Sequence, residues 1–217
     1  GSRGAEGISL FVLNAATTGV SRHLKPTLDQ TRKLAEVELR QVYVGADALL
    51  GELGQGAALL ECVLQLACAA QAAEQVGGAQ QSLDLTLDYT AERQQFGRAI
   101  ASFQAIKHRA ADMMLQVECA RSAAYYAACV AQEALAQQGD PLVAAELPMA
   151  AASAKATCSE AFFHCAAEAI QLHGGVGFTW EYDPHLYFKR ARASESFLGL
   201  PAWHRERIAA VILGEQP

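Results

Sequence analysis

Arg93-Gln94-Gln95-Phe96-Gly97-Arg98, with Ser102-Phe103-Gln104 a few residues on, sets a guanidinium beside an aromatic ring and a glycine. That combination suits an anionic ligand with a flat ring: the guanidinium fork takes phosphate oxygens and Phe96 packs on the ring. The same residues also fit an ordinary helix end, with Arg93 paired to Glu92 or Asp88 and Phe96 in the core. A second stretch, Gln171-Leu172-His173-Gly174-Gly175-Val176-Gly177-Phe178, carries three glycines in four positions. Such a loop reaches positive φ and bares backbone N–H groups to a pyrophosphate or ribose. A glycine pair after a helix is equally a C-cap, and His173 reads as a hydrogen-bonded structural residue. The third stretch, KRARASESFLGLP from Lys189 to Pro201, is a basic helix end passing into a small-residue turn. Taken alone it describes a helix-turn-helix joint.

These groups must be carried by two kinds of element. Ile8 to Asn14 and Ala35 to Val44 are rich in β-branched and apolar residues, the second with near-regular alternation, and Gly19 to Lys25 is a weaker third strand. Three strands cannot enclose a core of their own, so residues 1–52 read as the remnant of a larger β domain. After Gly51-Glu52-Leu53-Gly54-Gln55-Gly56 the text turns to Ala, Leu, Gln and Glu, which is helical composition. Helices are expected at about 57–95, 102–138, 142–172, 184–197 and 201–213, broken at Phe96-Gly97, Gly139-Asp140-Pro141 and Gly174-Gly175, with Pro201 opening the last. Short loops make residues 53–217 an antiparallel bundle, and the fold class is mainly α. From Ala57 to Ser82 the only charges are Glu61 and Glu74, and from Met149 to His173 apolar residues occupy nearly every face. Helices apolar all round are covered all round, which predicts a homo- or hetero-oligomer, dimer or tetramer.

Composition removes several classes of function. The 217 residues are 52% hydrophobic and 18% charged, enough for a core and too apolar for disorder. Seventeen basic against twenty-three acidic residues give a net charge of -6, with no basic face for nucleic acid or an anionic membrane. No apolar run spans a bilayer without charged or polar interruption. The opening GSRGAEG lacks the apolar segment of a signal peptide, and Gly1-Ser2 has the composition of a pair left by tag removal. The six cysteines form no CxxC pair, so no metal site is expected; they read as small buried thiols of the cytoplasm or another reducing compartment.

Four stretches in this order resemble the acyl-CoA dehydrogenase family over essentially the whole chain. They are Thr31-Arg32-Lys33-Leu34, VELRQVYVGADALLGELGQG, YTAERQQFGRAIASFQAIKHRAADM and AIQLHGGVGFTWEYDPHLYFKRAR. The resemblance implies the end of the family's middle β domain followed by its C-terminal four-helix domain; the family's N-terminal helical domain has no counterpart here. It implies FAD as cofactor and α,β-dehydrogenation of an acyl-CoA thioester, as in fatty-acid or steroid side-chain oxidation. Electron-transfer flavoprotein is the implied acceptor. By the resemblance, Arg93 and Phe96 fall where the family holds the adenosine diphosphate end of FAD across a subunit boundary. Gln104 follows in the same motif, and Gln171, Gly174 and Gly175 match the loop contacting that cofactor half.

The carry-over stops at the base. Where the family has a Tyr-Glu-Gly-Thr turn, this chain has Phe197-Leu198-Gly199-Leu200, so Leu198 stands in the place of the carboxylate. Some members carry the glutamate on the first long helix, and that position is Ala67 here. Positions that contact the thioester chain become Gln65 and Cys68. Glu74 and Glu195 are the carboxylates near enough in sequence to be relocated bases, while Glu195 beside Arg192 also reads as an ion pair. Two functions follow: an active dehydrogenase with its base elsewhere, or a non-catalytic subunit that completes the FAD site of a partner.

Overall fold

A computed structural model describes residues 7–214, so Gly1-Ser2 lies outside the described residues. The chain divides into two compact units, 1–64 and 65–217.

In the first unit, β2 (Val20–Lys25) pairs antiparallel with β3 (Leu34–Leu39), Val20 opposite Leu39 and Lys25 opposite Leu34. The stretch with the weaker strand pattern is thus a full six-residue partner. The Ala35–Val44 strand stops at Leu39 because Gln41 turns to φ 51° and Arg40 N–H closes on Gly19 O at 2.9 Å. The Ile8–Asn14 strand shrinks to β1 (Leu10–Phe11), paired with β4 (Leu49–Leu50). It ends where the Asn14 side chain accepts from Ala16 N–H at 2.9 Å, an Asx turn that competes with the ladder. Leu24, Val37 and Leu39 stay exposed, as a two-stranded ribbon must leave them.

The long helix α1 (Gly56–Glu92) runs on through the second unit, followed by α2 (Gln104–Leu135), α3 (Pro141–Ala144), α4 (Leu147–His173), α5 (Pro184–Ser196) and α6 (Pro201–Leu213). Between α1 and α2 lies a hairpin, β5 (Gln94–Gln95) and β6 (Arg98–Ala99). The expected helix over 142–172 is interrupted at Ala145-Glu146, because Pro148 in the first turn of α4 has no N–H to continue an earlier helix. Asp140 caps the short α3 by accepting from Leu142 N–H at 2.8 Å.

Side-chain pairs give the helix directions. On α2 and α4, Ala120 meets Cys158 and Met113 meets Cys165, an antiparallel register. On α1 and α4, Gln75 meets Ser159 and Gly78 meets Phe162, a parallel one. A Cβ on Gly78 would lie 2.4 Å from the Phe162 ring, so glycine is what lets α1 approach. The core holds Leu83, Met113, Val117, Phe162, Cys165 and Leu172. Three hydroxyls on the buried side of α1 are answered within the helix: Ser82, Thr86 and Thr90 each donate one turn back, at 2.7–2.8 Å.

Among the described helices, α1 alone has the length and mean hydropathy, 1.5, of a membrane span; its buried side is spent on α4. Cys68, Cys158 and Cys165 are buried, and burial pushes the thiols of Cys158 and Cys165 up to about 12. Cys119 and Cys129 are exposed, so the expectation of buried thiols fails for these two. No group of three potential metal ligands occurs among the described residues.

Candidate functional site

The Arg93 stretch is a hairpin and not a helix end. Arg93 N–H closes α1 on Tyr89 O at 2.9 Å, and Ile100 N–H returns to Arg93 O at 2.8 Å. Between them Phe96 and Gly97 take φ 54° and 78°, the pair of positive angles that a two-residue hairpin turn requires. The turn throws Phe96 outward, 91% exposed, which overturns its reading as a core residue. Its ring meets only the edge of Phe103, centroids 6.1 Å apart, and Arg98 covers the Phe103 face at 4.1 Å. The Arg93 guanidinium has no ion-pair or hydrogen-bond partner among the described residues, so neither Glu92 nor Asp88 claims it. Gln104, the first residue of α2, is exposed with its carboxamide likewise free.

The second stretch closes α4. Gly174 is the C-cap, φ 65°, and its N–H returns to Ile170 and Gln171 carbonyls. Nothing lies within 4 Å of a Cβ built on Gly174 or Gly175, so their backbone faces open space. Gln171 is exposed on the last turn. Gly177 differs: a Cβ there would lie 2.9 Å from Ile170 O, so this third glycine serves packing. His173 is structural, its buried Nδ1–H donating to Ala169 O at 2.7 Å, with burial lowering its pKa.

A stack missed in the sequence joins the two stretches. Tyr89, one turn before Arg93, lies flat on His173, one residue before Gly174, with centroids 4.2 Å apart and an 18° tilt. Tyr182 meets both rings edge-on at 5.7 and 5.8 Å. The hairpin and the glycine loop therefore leave the same end of the parallel pair α1 and α4. A tyrosine four residues before Arg93 was the available signal, but nothing in its spacing named His173 as the partner.

The positions where the resemblance puts the base lie apart from that end. Leu198 is half-buried with φ 62°, and Gly199 follows at 105°. Ala67 is half-buried on α1. Glu74 bonds Arg190 at 2.9 Å, and the Glu195 carboxylate bonds Arg192. Around the Leu198 turn, burial lowers the pKa of Lys155, and His204 is lowered to about 4 by burial and then by the charge of Lys155.

Known proteins agree with this architecture. The family model for the acyl-CoA dehydrogenase C-terminal domain matches residues 54–213. The acyl-CoA dehydrogenase IpdE2 of Mycolicibacterium smegmatis is 40% identical over 188 residues, covering 87% of this chain and 52% of the relative. Butyryl-CoA dehydrogenase of Megasphaera elsdenii superposes with a TM-score of 0.88 at 29% identity, over 97% of this chain and 53% of the other. A chain of the ChsE4-ChsE5 complex of Mycobacterium tuberculosis superposes with a TM-score of 0.80 at 27% identity, over 96% and 53%. The chain belongs to the acyl-CoA dehydrogenase family, and its mainly helical fold is that of the family's C-terminal domain. It spans about half the length of the curated relatives it matches.

Proposed function

We propose that the chain is part of an FAD-dependent acyl-CoA dehydrogenase in which it binds the adenosine diphosphate half of the cofactor and leaves proton abstraction to a carboxylate of another chain. The donor set fits that half: an unpaired guanidinium at Arg93 for the diphosphate, an exposed ring at Phe96 for stacking, free carboxamides at Gln104 and Gln171, and open backbone at Gly174-Gly175. When bound, the flavin supplies the two-electron acceptor for the hydride leaving the β-carbon of an acyl-CoA. These residues orient and retain it; none of them moves a proton.

One observation carries the assignment of roles. The turn where the resemblance puts the glutamate presents Leu198, which cannot accept a proton, and the two relocation candidates are already paired, Glu74 with Arg190 and Glu195 with Arg192. An oligomer follows from the same reading. Met114, Leu115, Tyr125 and Tyr126 are exposed on α2, large apolar groups suited to another subunit. Residues 1–52 are then the closing strands of the β domain and 53–217 the helical domain, with electron-transfer flavoprotein receiving the electrons.

The test is purification of the chain alone and with a family member that carries the glutamate, followed by the flavin spectrum and dye reduction by acyl-CoA. Flavin should be retained in the assembled protein, and turnover should vanish when the partner's glutamate becomes glutamine. Turnover by this chain alone, abolished by Glu74→Gln or Glu195→Gln, would overturn the division of roles. Absence of flavin from every assembly would overturn the cofactor reading.

A further inference from the structure

A helix leaves its last four carbonyls without intrahelical donors, and at the end of α5 each is met separately. Ser196 Oγ donates to Ala193 O at 3.1 Å, Gln75 Nε2 to Ser194 O at 3.3 Å, Lys155 Nζ to Glu195 O at 3.2 Å, and Gly199 N–H to Ser196 O at 3.4 Å. Beyond the helix, Lys155 Nζ also takes Gly199 O at 3.2 Å, and His204 Nε2–H takes Leu198 O at 3.0 Å. Apart from Ser196 and Gly199, the donors come from α1, α4 and α6. Lys155, Gln75 and Ser159 are fully buried, and His204 is 2% exposed.

Lys155 is the least expected of these. It is the single Lys or Arg between Met149 and His173, and its ammonium has three N–H groups for three neutral acceptors: Ser159 Oγ at 2.9 Å and the two turn carbonyls. Among the described residues no carboxylate is hydrogen-bonded to it: the Glu195 carboxylate bonds Arg192 and acts on the ammonium only through space. Burying a cation without a directly paired counter-ion is costly, and a methionine would fill the same space. The ammonium does gain from the negative end of the α5 dipole. It also holds carbonyls on both sides of one expected base position, since Glu195 and Gly199 flank Leu198, and Cys68, next to the other at Ala67, acts on it electrostatically.

We propose that Lys155, assisted by Gln75 and His204, is the positioning residue of this site, fixing the 195–199 backbone and hence the place and direction of whatever side chain stands at 198. The inference rests on the reading of 198 as the base position. It explains how a leucine is held at φ 62°, a conformation disfavoured for an L-residue that persists only where the surroundings over-determine it.

The test uses hydrogen exchange on the full chain, which needs no cofactor. In Lys155→Met, amides of residues 197–199 should exchange at least about tenfold faster while those around Met113 and Val117 keep their protection. Unchanged exchange at 197–199, or equal loss everywhere, overturns the proposal; if Lys155→Met does not fold, Lys155→Gln, with two donors, carries the same comparison. A second readout is Leu198→Glu in the flavin-loaded assembly whose partner glutamate has been replaced. Acyl-CoA turnover should return, and adding Lys155→Gln should lower kcat by about tenfold or more with KM little changed. A flavin-bound Leu198→Glu protein without turnover sinks the reading of position 198, whereas exchange separately decides whether Lys155 holds the turn.

Discussion

The hairpin-and-loop end of the helical unit and the 195–199 turn are built on opposite plans. At the first, the groups with chemistry are left free: Phe96 stands in solvent, Arg93 and the two glutamines have no partners among the described residues, and Gly174-Gly175 faces open space. At the second, the carbonyls of Glu195, Ser196, Leu198 and Gly199 are each answered by a side chain or amide, mostly from buried residues, although the side chain on display is an inert leucine. Free polar groups on a rigid frame suit a surface that another molecule completes. A turn held from behind keeps its shape whatever residue it carries.

If that contrast is physical, a methyl group should cost far more at the turn than at the loop. In Gly199→Ala the new Cβ would sit 2.6 Å from Trp203 Cε3 and 3.1 Å from His204 Nε2 at φ 105°. Overpacking and backbone strain together should remove about 3 kcal/mol or more, read as a shift in urea midpoint at constant slope. In Gly175→Ala, on the glycine loop, the backbone is not at positive φ and the space is empty, so the change should stay within about 1 kcal/mol. Equal losses would break the comparison.

Acid offers a second way to separate the regions. His204 is held to about 4 when folded against 6.5 for an ordinary imidazole, chiefly by burial and then by Lys155. The folded state resists a proton that the unfolded chain accepts, so this contribution is fully present above about pH 6.5 and is lost as pH falls toward 4. The shift corresponds to about 3 kcal/mol. His173, also lowered by burial, adds in the same direction. Urea titrations at pH 7.5 and 4.5 should show the loss in the wild type and a reduced loss in His204→Gln. A His204→Gln protein with the same pH slope would mean that the turn's histidine does not carry the effect.

What the sequence made legible follows from the range over which each signal acts. The last two helices were legible almost to the residue because Pro184 and Pro201 open them, and a proline acts on its own neighbours. The hairpin at 94–99 was missed because Gln94 and Gln95 extend the helical text, and only the positive φ of Phe96 and Gly97 shows the turn. The motif around Arg93 was legible as chemistry, though not as exposed chemistry, since burial is decided by partners far along the chain. Lys155 was invisible for the same reason: its acceptors on Glu195 and Gly199 are 40 and 44 residues away, and backbone carbonyls leave no trace in residue identity. A lone lysine in an apolar helix was the one available hint.

The smallest stability effect carries the most information about the exposed end. Arg93→Ala removes a side chain with no intramolecular partner among the described residues, so stability should stay within about 0.5 kcal/mol. If the guanidinium serves a diphosphate across a subunit boundary, the same change deletes a charge-assisted, two-pronged contact worth about 1.5–3 kcal/mol. Flavin retained by the assembled protein should then fall by about tenfold or more, measured by fluorescence of FAD released on dilution. Phe96→Ala should act the same way with a smaller loss, because an exposed ring contributes by stacking alone. The diagnostic is the dissociation of the two readouts: unaltered unfolding with weakened flavin retention marks a group kept free for a ligand. A matching drop in stability would mean that Arg93 serves the fold after all, and the contrast between the two regions would lose its exposed half.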